Sequence, residues 1–229
     1  EARAAQQEWG TRAEDLTAGA GEHTPIYYLV GALQGWDNQA KTCMFYPQSQ
    51  TVQTYTTQWT GDGNLKIWDE NNFGDWNNTI GAATDGDNAA SGKLVTSNAG
   101  AIVCPEKGAF YTLKVDFETM SYTWTKLENQ TPKEFEKIGL IGGFNEWGGD
   151  ENMTATAPHN WTAEVTFAAD TEVKFRANGG WDDNWGAGVN IAEKYYGTGT
   201  NGGDNIKVPA GTYNVFFNDI TGEFVFAAK

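Results

Sequence analysis

The feature that most constrains this chain is that it is written twice. Leu29-Val-Gly-Ala-Leu-Gln-Gly-Trp36 matches Leu140-Ile-Gly-Gly-Phe-Asn-Glu-Trp147 position by position. Asn64-Leu-Lys-Ile-Trp68, followed by Phe73-Gly-Asp-Trp76, matches residues 172–176, Glu-Val-Lys-Phe-Arg, followed by Trp181-Asp-Asp-Asn-Trp185, with a one-residue difference in loop length. Tyr111-Thr-Leu-Lys-Val-Asp116 and Tyr122-Thr-Trp124 match Tyr213-Asn-Val-Phe-Phe-Asn218 and Phe224-Val-Phe226 in the same order. Self-similarity that keeps its order means one structural unit used twice. The repeated runs are short, rich in β-branched and aromatic residues, and bounded by Gly, Asn, Asp or Pro, which is strand punctuation; long helical periodicity is absent. The expected architecture is therefore all-β: two tandem antiparallel β-sandwiches. The expected limits are a linker or short helical segment over 1–24, a first sandwich over 25–129 and a second over 130–229, with the break near Leu127-Glu-Asn-Gln-Thr-Pro132.

Charge narrows the ligands such sandwiches could hold. Of 229 residues, 15 are Lys or Arg and 30 are Asp or Glu, a formal net charge of -15. That field repels a nucleic-acid backbone or an anionic lipid surface, so neither is an expected partner. Ten Trp, nine Tyr and twelve Phe supply instead the flat apolar rings that stack on the C–H faces of sugars. With only two cysteines, Cys43 and Cys104, there is no multi-disulfide framework, and a single bridge between them stays open. No window approaches the ~18 apolar residues of a membrane-spanning helix, and the first residues lack the apolar stretch of a signal peptide, so the chain is expected to start downstream of any targeting segment.

Candidate binding residues come from the strand pattern. Residues in a strand alternate faces. Leu65 and Ile67 are thus expected inward with Lys66 and Trp68 outward, and Val173 and Phe175 inward with Lys174 and Arg176 outward. An outward cation beside a tryptophan-bearing loop suits a neutral polyhydroxylated ligand: the cation donates to vicinal hydroxyl oxygens, the indole supplies the stacking face, and Asn or Asp completes the hydrogen bonds. Trp36 and Trp147, at the turn after the first strand of each repeat, are candidates for a second wall. Trp181 is a candidate platform with Phe73 as its counterpart, while Trp76 and Trp185 fit a platform or a packing plug equally well. Asp116 and Asn218 end equivalent strands, where an ordinary turn role competes with ligand binding. Trp59, Trp124 and Trp161 lie in strand patterns and are expected in the cores.

Other chemistry is thin. Asp69-Glu70 and Asp150-Glu151 are adjacent in sequence, which is not the opposed separation a glycosidase needs. His23 and His159 lack partner motifs, and the acidic loops 61–64, 85–88 and 202–205 lack a complete calcium-binding pattern. No catalytic residue, metal site or cofactor is expected.

On these residues the chain resembles the SusE/SusF family of Bacteroidetes outer-membrane starch-binding lipoproteins, in particular their tandem C-terminal carbohydrate-binding modules. The motifs that carry it are residues 139–147, Val173-Lys-Phe-Arg176 with Trp181-Asp-Asp-Asn-Trp-Gly186, and Val208-Pro-Ala-Gly-Thr-Tyr213. The resemblance covers roughly residues 25–229 and implies that the two sandwiches are of immunoglobulin-like or starch-binding-module-like type. It implies a surface-exposed, non-catalytic protein that is anchored by an N-terminal lipid outside this chain and holds starch or a related α-glucan near a partner porin and glycan-binding protein. A looser similarity to glycogen-binding modules, whose sites use two tryptophans, a lysine and an asparagine, implies Trp147, Lys174, Trp181 and Asn218 in the second half. In the first half it implies Trp36, Lys66 and Asp116, with Trp68 or Trp76 recruited where Phe73 replaces the second indole. The rival expectations are an aromatic surface for a protein partner, a different neutral glycan, or a glycosidase fragment.

Overall fold

A computed structural model describes residues 24–229; the linker or helical segment expected over residues 1–23 lies outside the described residues. Two compact units emerge: Thr24–Pro132 together with Thr156–Asn160, and Lys133–Ala155 together with Trp161–Lys229. Both are built from antiparallel sheets, and the only described helices are three-residue 3-10 turns.

In the first unit one sheet runs Tyr27–Gly31, Asn64–Asp69, Ile102–Val103. The other centres on Val52–Gln58, Phe110–Asp116 and Ser121–Lys126, paired in that order. The inner faces meet over Leu65, Ile67, Tyr55, Trp59, Leu113 and Val115, all essentially without solvent contact. Trp59 and Trp124 pack edge to face at 4.7 Å, and the Trp59 indole donates to the Tyr111 carbonyl at 3.0 Å. Both therefore sit in the core, as the strand pattern required.

The second unit repeats the plan. Ile138–Gly142 pairs with Thr171–Ala177, which also pairs with Asn184–Gly186, and the facing sheet contains Asn160–Phe167, Gly211–Asn218 and Glu223–Ala228. Its core contains Leu140, Val173, Phe175, Phe217 and Phe226, with Phe175 and Phe217 stacked at 4.3 Å. Trp161 closes it and donates to Asp219 at 2.7 Å.

The register of the duplication is visible in the strand pairs. Gly31 faces Leu65 and Val30 faces Lys66; Gly142 faces Val173 and Ile141 faces Lys174. In both units the glycine permits close approach of two strands: a β-carbon on Gly31 would run into the Asn64 carbonyl, and one on Gly142 into the Glu172 carbonyl. Cys43 and Cys104 are buried as free thiols.

Candidate glycan-binding site

Each of these glycines opens the same local device. A 3-10 turn follows, Ala32–Gln34 in the first unit and Gly143–Asn145 in the second. The amide side chain ending the turn accepts from the glycine N–H, Gln34 from Gly31 at 3.1 Å and Asn145 from Gly142 at 3.0 Å. The same side chain then reaches forward, Gln34 donating to the Asp37 carbonyl at 2.7 Å and Asn145 to the Gly149 carbonyl at 2.5 Å. The tryptophan lies between the two ends of this clamp. Its own N–H returns to the glycine carbonyl at 2.9 Å in both units.

So held, Trp36 and Trp147 adopt left-handed backbone angles, φ 58° and 57°. A bulky side chain in that region costs on the order of 1–3 kcal/mol and persists only where the surroundings enforce it. The gain is direction: each indole is turned outward beside a second tryptophan. Trp36 meets Trp76 with ring centres 6.3 Å apart and planes tilted by 43°. Trp147 meets Trp181 at 6.2 Å and 36°. Among the described residues, Trp76, Trp147 and Trp181 are the exposed large hydrophobic side chains, at 45%, 39% and 48% of their full surface.

Beneath each pair the supports differ. In the first unit Trp68 is fully buried, packs against Trp76 at 4.5 Å and against Phe73 at 5.0 Å, and donates its indole N–H to the Asp75 carbonyl at 2.9 Å. In the second unit the equivalent residue is Arg176. Its guanidinium lies 4.8 Å from the centre of the Trp181 ring, and its Nε donates to Asp150 at 2.7 Å, with both side chains about nine-tenths covered.

Lys174 sits on the same face, 6.0 Å from the Trp181 ring centre, and donates to Asn184 Oδ1; Asn184 in turn donates to the Trp181 carbonyl at 2.9 Å. Burial lowers the Lys174 pKa from the ordinary lysine value, opposed by the Asp204 carboxylate. Lys66 holds the matching position in the first unit, half-buried and without an ionic or hydrogen-bond partner among the described residues.

The structure thus gathers Trp36 and Trp76 over Trp68, and Trp147 and Trp181 beside Lys174 and Arg176. Several expectations need correction. Trp68 offers no accessible face: it points outward from the strand, but Trp76 and Phe73 cover it. Arg176 is a covered support for Trp181, with its Nε engaged by Asp150. Trp185 is a packing plug that rests edge-on against Phe135 at 5.6 Å and Phe217 at 5.1 Å. Asp116 and Asn218 belong to the other sheet of each sandwich, where their side chains cap the hairpin turns. Asp116 accepts from Glu118 N at 2.9 Å, and Asn218 accepts from Ile220 N and Thr221 N at 2.9 and 3.0 Å.

Phe73 is not the counterpart of Trp181 either. Ile80 pairs with Ile67 as Trp185 pairs with Phe175, and Trp76 and Trp181 each lie four residues before that pairing residue. The first-unit loop is therefore three residues longer, with seven residues between Trp68 and Trp76 against four between Arg176 and Trp181. Phe73 lies in the extra segment, packed edge-on against Tyr28 at 5.4 Å. Gly31, Gly142, Gln34, Asn145 and Asn184 also shape the site, and strand alternation alone does not mark them. The recurrence of Gly followed three residues later by Gln or Asn was the signal for the first four.

The duplicated sandwich, with an outward tryptophan pair on each copy, defines a class by architecture: tandem antiparallel β-sandwich modules. Comparison with known proteins gives the particular relatives. Residues 22–126 match the family model described as SusF, first starch specific CBM. Outer membrane protein SusF of Bacteroides thetaiotaomicron is 29% identical over 209 residues, which is 85% of this chain; the chain spans 42% of that relative's length. The crystal structure of SusF from the same organism aligns with 87% of this chain and 48% of its own, at 21% identity and a TM-score of 0.41. The chain is thus similar to SusF over most of its length, and the SusE/SusF-type resemblance stands.

Proposed function

We propose that this chain is a non-catalytic glycan-binding protein that holds starch or a related α-glucan on two platforms, Trp36–Trp76 and Trp147–Trp181. The observation that carries the reading is that both units adopt a strained tryptophan backbone to set two outward indoles at a tilt. Two coplanar rings would suit a flat, extended chain, whereas rings tilted by 43° and 36° follow the curvature of an α-linked glucan. Lys66 and Lys174 stand on the matching strand position of each unit, where an ammonium can donate to vicinal hydroxyls. The starch-specific description of the family model over residues 22–126 points the same way. Two sites on one chain gain avidity on a polymer, so each can be weak alone.

The name of the SusF relative supports association with an outer membrane, and this chain would act there beside a porin and other glycan-binding proteins. Native-gel electrophoresis with and without amylopectin tests the reading. The unaltered chain is expected to be retarded, Trp36→Ala or Trp147→Ala less so, and the double variant to run as in a plain gel. Migration of the unaltered chain that no glucan slows would rule the reading out.

A further inference from the structure

The two platforms differ at their αL tryptophan. In the second unit Trp147 also forms a wall of an open groove of about 500 Å³, whose lining includes Gly143, Ala168, Ala169, Thr171 and Glu172. That volume lies within the roughly 300–1,000 Å³ typical of ligand clefts. In the first unit the matching 3-10 turn begins with Ala32 where the second has Gly143, and the turn joining Val52–Gln58 to Asn64–Asp69 lies close to it: a β-carbon on Gly61 would lie 3.1 Å from that of Ala32.

Glu172 gives the groove its chemistry. It is exposed, two residues before Lys174 on the same face of the strand, and its carboxylate has no ion pair or hydrogen bond among the described residues. Its counterpart in the first unit is the uncharged Asn64. An unpaired carboxylate beside an indole is an acceptor aimed where sugar hydroxyls would lie once a ring stacks on Trp147.

We propose that this groove is an additional sugar subsite. A glucan stacked on Trp181 and Trp147 runs its next unit into the groove, where hydroxyls donate to Glu172, so the second unit discriminates by chain length. The inference rests on the proposed glucan platform. Its test uses the full chain carrying Trp36→Ala and Trp76→Ala, so that only the second platform reports, titrated by tryptophan fluorescence with maltose and with maltoheptaose. Glu172→Ala is expected to weaken maltoheptaose about tenfold, the worth of one charge-assisted hydrogen bond, and to leave maltose within about twofold. Ala168→Leu with Ala169→Leu, which narrows the groove without changing charge, is expected to give the same selective loss. Any other pattern overturns the subsite, including equal loss on both sugars or no loss with either variant. Failure of the parent double variant to bind either sugar, in a chain that circular dichroism shows to be folded, would instead remove the glucan platform itself.

Discussion

The two units present the same pair of rings on opposite kinds of support. In the first, Trp76 rests on a buried indole, Trp68, and the underlayer is apolar and aromatic. In the second, Trp181 rests on a guanidinium that is itself held by Asp150. The exchange is not a point substitution. Apolar support came with a loop three residues longer, whose Phe73 packs on Trp68, and ionic support with a shorter loop and a covered carboxylate. What the duplication preserved is the glycine, the amide clamp and the αL tryptophan, because these fix where the outer face of the pair points. What lies beneath was free to change as long as it filled the space and satisfied its polar groups.

The largest way to break this comparison is to remove each support. Trp68→Ala empties a fully buried indole site and is expected to destabilise the first unit by about 3–5 kcal/mol, read as a lowered transition in scanning calorimetry. Asp150→Ala leaves Arg176 covered and uncompensated and should destabilise the second unit by about 3 kcal/mol. Asp150→Asn should retain part of that by keeping an acceptor. If both Asp150 variants matched the unaltered chain, the ionic support would be incidental.

Removing a platform ring should separate binding from folding. Trp76→Ala and Trp181→Ala each delete an exposed ring, so melting should shift little, while affinity of the affected site for maltoheptaose falls by about 2 kcal/mol, some thirtyfold. Equal losses would mean that the two supports present equivalent surfaces. Trp185→Phe, at the packing plug, should leave affinity unchanged.

The smallest effects sharpen the comparison at a single backbone position. Gly35 and Glu146 precede the two tryptophans and share left-handed angles, φ 66° and 56°. Glycine tolerates that region and glutamate is strained there. Gly35→Ala, with open space around its β-carbon, should therefore cost about 1 kcal/mol, and Glu146→Gly should stabilise the second unit by up to about 1 kcal/mol. Urea midpoints at constant slope would register both.

Much of this was legible in the sequence because it rested on periodicity. Alternation put Leu65, Ile67, Val173 and Phe175 inside, and the repeat aligned Lys66 with Lys174 and Trp36 with Trp147. The misreadings came from features that alternation does not encode. Aligning Phe73 with Trp181 minimised the gap, but the gap is set by where the loop re-enters the sheet, at Ile80 and Trp185. Asp116 and Asn218 end strands of the correct kind in the other sheet, and a sequence does not say which sheet a strand joins. Trp68 and Arg176 do face outward, yet whether an outward side chain meets solvent depends on a loop that folds back over it.

In the proposed function the two tryptophan pairs are separate α-glucan platforms, one in each unit. Isothermal titration with maltoheptaose tests it most directly, on the unaltered chain, on Trp36→Ala/Trp76→Ala, on Trp147→Ala/Trp181→Ala and on the fourfold variant, all checked for folding by circular dichroism. The predicted stoichiometries are two, one, one and none. A fourfold variant that still binds, or a double variant that keeps both sites, would contradict the claim.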